Sequence, residues 1–417
     1  VSDAGRILSP SFLDHPRLRR LFAALDGAGE ELRVVGGAIR NHLMQIPVTE
    51  VDLTTTASPE TTIARAKAAG LKCVPTGLEH GTVTIVVDHV PFEVTTLRED
   101  VETDGRRAKV AFGRDFRDDA LRRDFTCNAL SARADGTLSD YANGMQDIAA
   151  RHVRFIGDPA TRIVEDYLRI LRFFRFHAAF GEGAADAVAL AAIEKHRAGL
   201  DSLSRERVRA EILKLLQARG AADAIVLMSG RGLVTHLLRG VVTPVRLARI
   251  VAIEQARGST PDPVLRLSAL AVLTRADAER LRETLRLSNA EHARLAGAAD
   301  AAAWLHRRDA PPDAADVRRA LYRRGHPAVS DAIDLAHASA AVAADDPDWT
   351  AARALAAYMP IPKFPVSGAT LRARGIPVGK GLGDTLRRIE AAWIAAGFST
   401  DPAQVARLVD NALTSKT

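Results

Sequence analysis

The sequence predicts an α/β head built on a small mixed sheet, followed by all-α domains in an elongated multidomain chain. Three observations carry this. Strand and helix signals alternate up to about Ala150, the pattern turns almost wholly helical from Asp158, and 417 residues are too many for one compact core. The expected division is a head over residues 1–150, a helical neck over 151–217, a helical body over 218–330 and a tail over 331–417.

The first strand is Leu32 to Val35, apolar and β-branched enough to be buried. Gly36-Gly37 follows, where a missing Cβ lets the backbone turn tightly and approach a phosphate. Arg40 falls in the first turns of the next helix, where amide donors and the helix dipole favour an anion and the guanidinium adds a charge-assisted contact. A second strand, Thr49 to Thr54, places Glu50 and Asp52 on one face. Two carboxylates so close repel unless a divalent cation neutralises them, and Mg²⁺ is the expected ion beside a phosphate. Phosphate cradle plus carboxylate pair reads as a nucleotidyltransferase site.

Ser58 caps a helix over Pro59 to Gly70, and Val83 to Val87 and Phe92 to Leu97 read as further strands. Glu93 shares a face with Thr95 and is either a third active-site carboxylate or a strand-edge charge. The polar, glycine-containing run Glu102 to Lys109 reads as a mobile loop. Beyond Asp158, Gly and Pro are confined to joints such as Gly181, Gly220 and Pro311-Pro312, until Pro360 to Phe398 resumes turn punctuation.

Composition is that of a globular chain, with 47% hydrophobic and 26% charged residues, and no apolar run is long enough to span a bilayer. Asp3, Arg6, Asp14 and Arg17 interrupt the first thirty residues, unlike a signal peptide. Cys73 and Cys127 stand far apart without metal-ligand spacing, so a disulfide framework or zinc site is not expected and a cytoplasmic setting is. Net charge is +6, and of 57 basic residues only eight are lysine. Arginine is the better bidentate phosphate ligand, although codon bias in a GC-rich genome explains the same imbalance.

Three further motifs complete a series: Leu121-Arg122-Arg123-Asp124-Phe125-Thr126-Cys127-Asn128-Ala129-Leu130, then Asp140 to Asp147, then Glu165-Asp166-Tyr167-Leu168-Arg169-Ile170-Leu171-Arg172. With Ser204 to Val208 and Glu211 to Lys214 as a last motif, the chain from about Val34 to Lys214 resembles the class II tRNA nucleotidyltransferases and their poly(A) polymerase relatives, most closely bacterial CCA-adding enzymes.

That resemblance implies a polymerase-β-like head that uses Mg²⁺ to transfer CMP and AMP from CTP and ATP to the 3′ end of tRNA. It implies catalysis and metal binding at Glu50 and Asp52, and nucleotide contacts from Gly36, Gly37, Arg40, Arg123, Asp124, Asp166, Arg169, Arg172 and Arg175. Asp166 and Arg169 resemble the pair that reads the base edge, while Arg122 and Asn128 support the loop around Arg123. The loop before Leu121, which in the family helps the switch from adding C to adding A, is of full length. The tail is expected to bind RNA through Lys363, Arg372, Arg374, Lys380, Arg387 and Arg388, set against the single acid Asp384. No membrane and no obligate protein partner is implied. Two departures stand out: Asn41 and Glu50 occupy positions where the family usually has aspartate. The amide of Asn41 can still orient Arg40 through its oxygen, and glutamate can still ligate Mg²⁺. The alternatives are a poly(A) polymerase and a non-catalytic RNA-binding protein on the same scaffold.

Overall fold

The computed structural model of the chain describes residues 12–74, 77, 78, 81–104, 107–305 and 310–414. It divides into two compact units, Val1–Ala224 and Ile225–Thr417.

The first unit opens with α1 (Pro16–Leu25), β1 (Leu32–Val35), α2 (Gly37–Leu43), β2 (Asp52–Thr55) and α3 (Pro59–Ala68). β3 (Lys72–Val74), β4 (Thr82–Val87) and β5 (Val90–Thr96) follow, then β6 (Arg98–Asp104), β7 (Arg107–Phe112), α4 (Phe116–Leu121), β8 (Leu130–Ala132), β9 (Leu138–Asp140) and α5 (Gly144–Ala149). Seven strands form a mixed sheet in the order β3-β4-β5-β2-β1-β8-β9. Among the described residues only β2 and β5 run parallel in it, Leu53 lying opposite Val94, which brings the start of β2 beside Glu93. Phe92, Val94 and Thr96 of β5 are buried while Glu93 and Thr95 face the other side, so the period-2 alternation separates core from site.

The helix at Pro59 begins as expected, with Ser58 Oγ accepting from the Thr61 amide at 3.2 Å. Two expectations are corrected. The strand holding the carboxylates starts at Asp52, so Glu50 sits in the approach to it rather than on its face. The Glu102 to Lys109 run is not a loop throughout: β6 and β7 pair antiparallel from Arg98↔Phe112 to Asp104↔Arg107, with residues 105 and 106 outside the described chain. A polar ribbon lacks the apolar alternation by which strands are recognised in sequence.

α6 (Pro159–Glu165), α7 (Leu168–Phe180), α8 (Ala187–His196) and α9 (Arg205–Gln217) complete this unit. Phe173, Phe174, Phe176 and Phe180 bury one face of α7. Phe125 and Phe155 pack against them, with ring centroids 5.4 Å apart for Phe125–Phe176 and 5.8 Å for Phe155–Phe173. These aromatic contacts anchor α7 to the Arg123–Asn128 segment.

The chain passes into the second unit through α10 (Ala221–Ser229) and continues with α11 (Leu233–Leu238), α12 (Pro244–Arg257), α13 (Pro263–Ala271), α14 (Arg275–Leu285) and α15 (Asn289–Leu305). α16 (Ala314–Arg324), α17 (His326–Ser339), α18 (Pro347–Tyr358), α19 (Gly368–Ala373), α20 (Lys380–Ala395) and α21 (Pro402–Thr414) follow. The joint expected at 330/331 falls within α17. Val317, Leu321, Val329, Ile333 and Trp349 share one core, and Val366, Leu371, Ile389 and Val409 form a second one within the tail. Among the described residues no helix is long and apolar enough to cross a membrane.

Candidate active site

Gly36 carries the turn between β1 and α2 at φ +67°, ψ −118°, a backbone region open to glycine. A Cβ there would stand 3.2 Å from Arg123 Nη1. Its amide donates to Leu130 O at 3.0 Å, so this glycine is needed for the turn and for close approach, and it is Gly37 that heads α2. Arg40 follows one turn later. Asn41 Oδ1 accepts from its Nε at 3.2 Å and its Nη2 at 2.9 Å. Asn128 Oδ1 accepts from Nη1, and Asn128 Nδ2 donates to Asp124 Oδ1 at 3.1 Å. Arg172 Nε in turn donates to Asp124 Oδ2 at 2.6 Å. One hydrogen-bonded chain therefore links α2, the Arg123–Asn128 segment and α7. Asp124 is buried, yet its carboxyl is held below the usual range: burial pushes it upward, and Arg172, Asn128 and the Phe125 amide outweigh that push.

Glu50 and Asp52 line the same cleft, and Asp52 and Glu93 line the adjoining hollow together with Arg98 and Arg123. The Asp52 carboxyl is raised above its ordinary range, by partial desolvation first and then by the charges of Glu93 and Glu50, against an opposing pull from Arg123. Among the described residues no three His, Cys, Asp or Glu side chains form a ready metal cage. A mutually repelling carboxylate pair beside a basic cleft is nonetheless the donor set that suits Mg²⁺, which takes one or two carboxylates and completes its shell with water and phosphate oxygens.

Arg122 and Arg123 are both anchored by Asp119, itself only 3% exposed: Arg123 Nη2 donates to Asp119 Oδ2 at 3.0 Å, and Arg122 bonds the other oxygen. Asp119 is a functional residue that sequence reasoning misses, although its spacing three and four residues before the two arginines is the helical signal for such pairing. Asp166 stands three residues before Arg169, a helical spacing that Arg172 and Arg175 continue, yet it lies at the break between α6 and α7 in extended conformation. Its Oδ1 accepts from the Leu168 amide at 3.1 Å, an aspartate taking a backbone donor and interrupting the helix. Arg169 bonds Glu165 and donates to Arg162 O at 2.9 Å. Arg175 Nε donates to Glu211 Oε2 at 2.6 Å and its guanidinium lies 4.0 Å from the Phe176 ring centre.

All eleven residues expected at the catalytic and nucleotide sites line one cleft of about 630 Å³ in the first unit. Arg122, Asn128, Phe176, Arg207 and Lys214 join them. Arg207 and Lys214 belong to the last motif, for which the sequence suggests no individual role. Eight basic side chains face four acidic ones along the cleft wall, a surplus suited to a polyanion such as a triphosphate.

The six tail cations lie in the second unit and are all exposed. They are not all unpaired, as the sequence window implies: Arg374 bonds Asp410, from α21 beyond that window, and Arg387 bonds Asp384.

Residues 32–154 match the poly A polymerase head domain family, and residues 186–243 match a family described as "Probable RNA and SrmB- binding site of polymerase A". A mitochondrial CCA tRNA nucleotidyltransferase 1 from Danio rerio is 40% identical over 63% of this chain and 61% of its own length. Its counterpart from Mus musculus is 33% identical over 94% of this chain and 90% of its own. Among solved structures, the Bacillus stearothermophilus CCA-adding enzyme in complex with CTP superposes with a TM-score of 0.74 at 25% identity, covering 96% of this chain and 98% of that one.

Proposed function

The chain belongs to the CCA tRNA nucleotidyltransferase family, and we propose that it adds CMP and AMP, from CTP and ATP, to the 3′ end of tRNA with release of pyrophosphate. The observation that carries this is the single cleft joining Glu50 and Asp52 to Arg40, Arg123, Asp124, Asp166, Arg169, Arg172 and Arg175. The names of the relatives favour CCA addition over poly(A) synthesis. A reducing compartment such as the cytoplasm is proposed on cysteine usage, Cys73 and Cys127 being free thiols.

Glu50 and Asp52 would hold Mg²⁺, which supplies Lewis-acid polarisation of the α-phosphate and eases deprotonation of the attacking 3′-hydroxyl. The chain's own residues do the rest. Arg40 and Arg123, fixed by Asn41, Asn128 and Asp119, face the triphosphate with their positions set before it arrives, so little reorganisation is needed as charge moves onto pyrophosphate. Arg172 and Arg175 flank them from α7. The base edge meets Asp166 and Arg169. Cytosine and adenine both present an exocyclic amino donor beside a ring-nitrogen acceptor, matched by a carboxylate and a guanidinium. Uracil and guanine reverse that polarity and leave buried groups unpaired, which costs more than lost packing. Protein side chains thus stand in for a template strand.

The test is the product. Purified protein is incubated with tRNA lacking its last three nucleotides and each NTP alone or in combination, and the RNA ends are sequenced. CC with CTP alone, completed by a single A when ATP is added, is expected. Oligo(A) tails, or no extension, would overturn the proposal.

A further inference from the structure

Helix α9 carries Arg207 and Glu211 one turn apart, and each is bonded to a residue assigned above to the incoming nucleotide. Glu211 holds Arg175 at 2.6 Å, and Arg207 Nη2 donates to Asp166 Oδ2 at 2.7 Å. The second of these is the more consequential. Asp166 sits at a helix break, so no regular backbone fixes its side chain. Its two oxygens are instead each held by a donor, Oδ1 by the Leu168 amide and Oδ2 by Arg207.

We propose that Arg207 is a positioning residue for nucleotide choice, acting through Asp166. The inference rests on the reading of Asp166 as the acceptor for the base amino group. An ionised carboxylate offers about four lone-pair directions, so two remain for the base after Leu168 and Arg207 have each taken one. Two-point fixation aims those lone pairs. A carboxylate free to turn about its last torsion, which is broad for aspartate, could swing away from a uracil or guanine carbonyl and let water solvate the mismatch. Rejection of the wrong base therefore depends on fixation more than acceptance of the right one does. The pair contributes little to folding, since the two side chains are 50% and 32% exposed and such bridges are weak in water. Its role is geometric.

A double-mutant cycle tests this, using full-length protein, tRNA lacking its last three nucleotides, and CTP or UTP as the nucleotide. The variants are Arg207→Ala, Asp166→Ala and the double substitution, with Arg207→Lys as a conservative control. Arg207→Ala is expected to lower the CTP-over-UTP ratio of kcat/KM by about tenfold, with kcat for CTP falling by less. Arg207→Lys should recover part of the ratio by restoring a cation without the planar fork. The double variant should discriminate no worse than Asp166→Ala alone, because the action of Arg207 runs through that carboxylate. If Asp166→Ala loosens discrimination and Arg207→Ala does not, or if the two effects add, the inference is wrong and the reading of Asp166 stands. If Asp166→Ala leaves discrimination unchanged, the reading on which the inference rests has failed. Thermal melts accompany each variant, and Arg207→Gln replaces Arg207→Ala should the latter fail to fold.

Discussion

Asn41 Oδ1 accepts from both Nε and Nη2 of the neighbouring Arg40, at 3.2 and 2.9 Å, so an amide oxygen orients this guanidinium at a position where the resemblance leads one to expect aspartate. Shape survives the substitution, but the charge does not. Burial already holds the Arg40 pKa below its ordinary value, and a neutral neighbour does nothing to oppose that. Asn41→Asp is therefore expected to keep activity and steady Arg40, whereas Asn41→Leu removes the acceptor and raises the KM for CTP by about fivefold to twentyfold, the equivalent of roughly 1–2 kcal/mol. Steady-state kinetics decide it: an unchanged KM in Asn41→Leu would show that Asn128 suffices to hold Arg40.

Gly36→Ala tests the turn itself. At φ +67° and ψ −118° a side chain is strained by about 1–3 kcal/mol. The added methyl would also press on Arg123 Nη1, 3.2 Å away. A lower Tm is expected together with a rise in KM for CTP that exceeds any rise in KM for tRNA. Equal changes in both would place Arg123 away from the nucleotide.

The glycine turn, Arg40 and Asp52 are legible in sequence because backbone conformation, helix position and strand alternation are local properties. Strand β1 runs over Leu32–Val35 as its β-branched apolar pattern requires. What stays hidden depends on partners distant along the chain. Asp119 reads as one more acid on a short helix until its burial under Arg122 and Arg123 is seen. Asp166 fits an i,i+3 series with Arg169, and nothing local announces that its side chain captures the Leu168 amide and breaks the helix there. Arg207 stands in a recognisable motif, but its partner Asp166 lies 41 residues away.

The carboxylates predict a conflict between stability and activity. Asp52 has a folded-state pKa raised above its ordinary value, by desolvation and by Glu93 and Glu50. A raised carboxylate pKa means the protonated form is favoured on folding, so stability falls as the pH rises from the ordinary carboxylate range to that raised value, and the loss is complete above it. Asp52→Asn should accordingly melt higher than wild type at neutral pH. The gap should shrink as pH falls through the raised pKa and vanish below the ordinary carboxylate range, where both states are protonated. Mg²⁺ relieves the same repulsion and should raise the Tm of wild type more than that of Asp52→Asn. Incorporation in the variant should fall at least about a hundredfold, roughly 2.7 kcal/mol of transition-state stabilisation. A lower Tm at neutral pH, or near-normal incorporation, would contradict this account.

The tail is best tested by point substitution, because cutting after Met359 would remove more than charge. Trp393 and Phe398 pack on Tyr322, with ring centroids 5.5 and 5.4 Å away, and Trp393 Nε1 donates to Ser399 O at 2.8 Å. Truncation would strip that cover from α16 and confound affinity with folding. Within the six tail cations, Arg374 and Arg387 already have carboxylate partners, so part of their charge is neutralised before RNA arrives. Among the described residues Lys363, Arg372 and Lys380 have no such carboxylate partner and are the better candidates for binding phosphates. Removing one cation that neutralises a phosphate should flatten the slope of log affinity against log salt by about 0.7–0.9. The triple variant Lys363→Ala, Arg372→Ala, Lys380→Ala is expected to lower that slope by up to about 2–3 and to bind tRNA more weakly at low salt. Arg374→Ala should change it less. CTP-over-UTP selectivity should not move, since the cleft proposed to read the base belongs wholly to the first unit. A triple variant with wild-type salt slope and affinity, and an unchanged Tm, would refute the anchoring role.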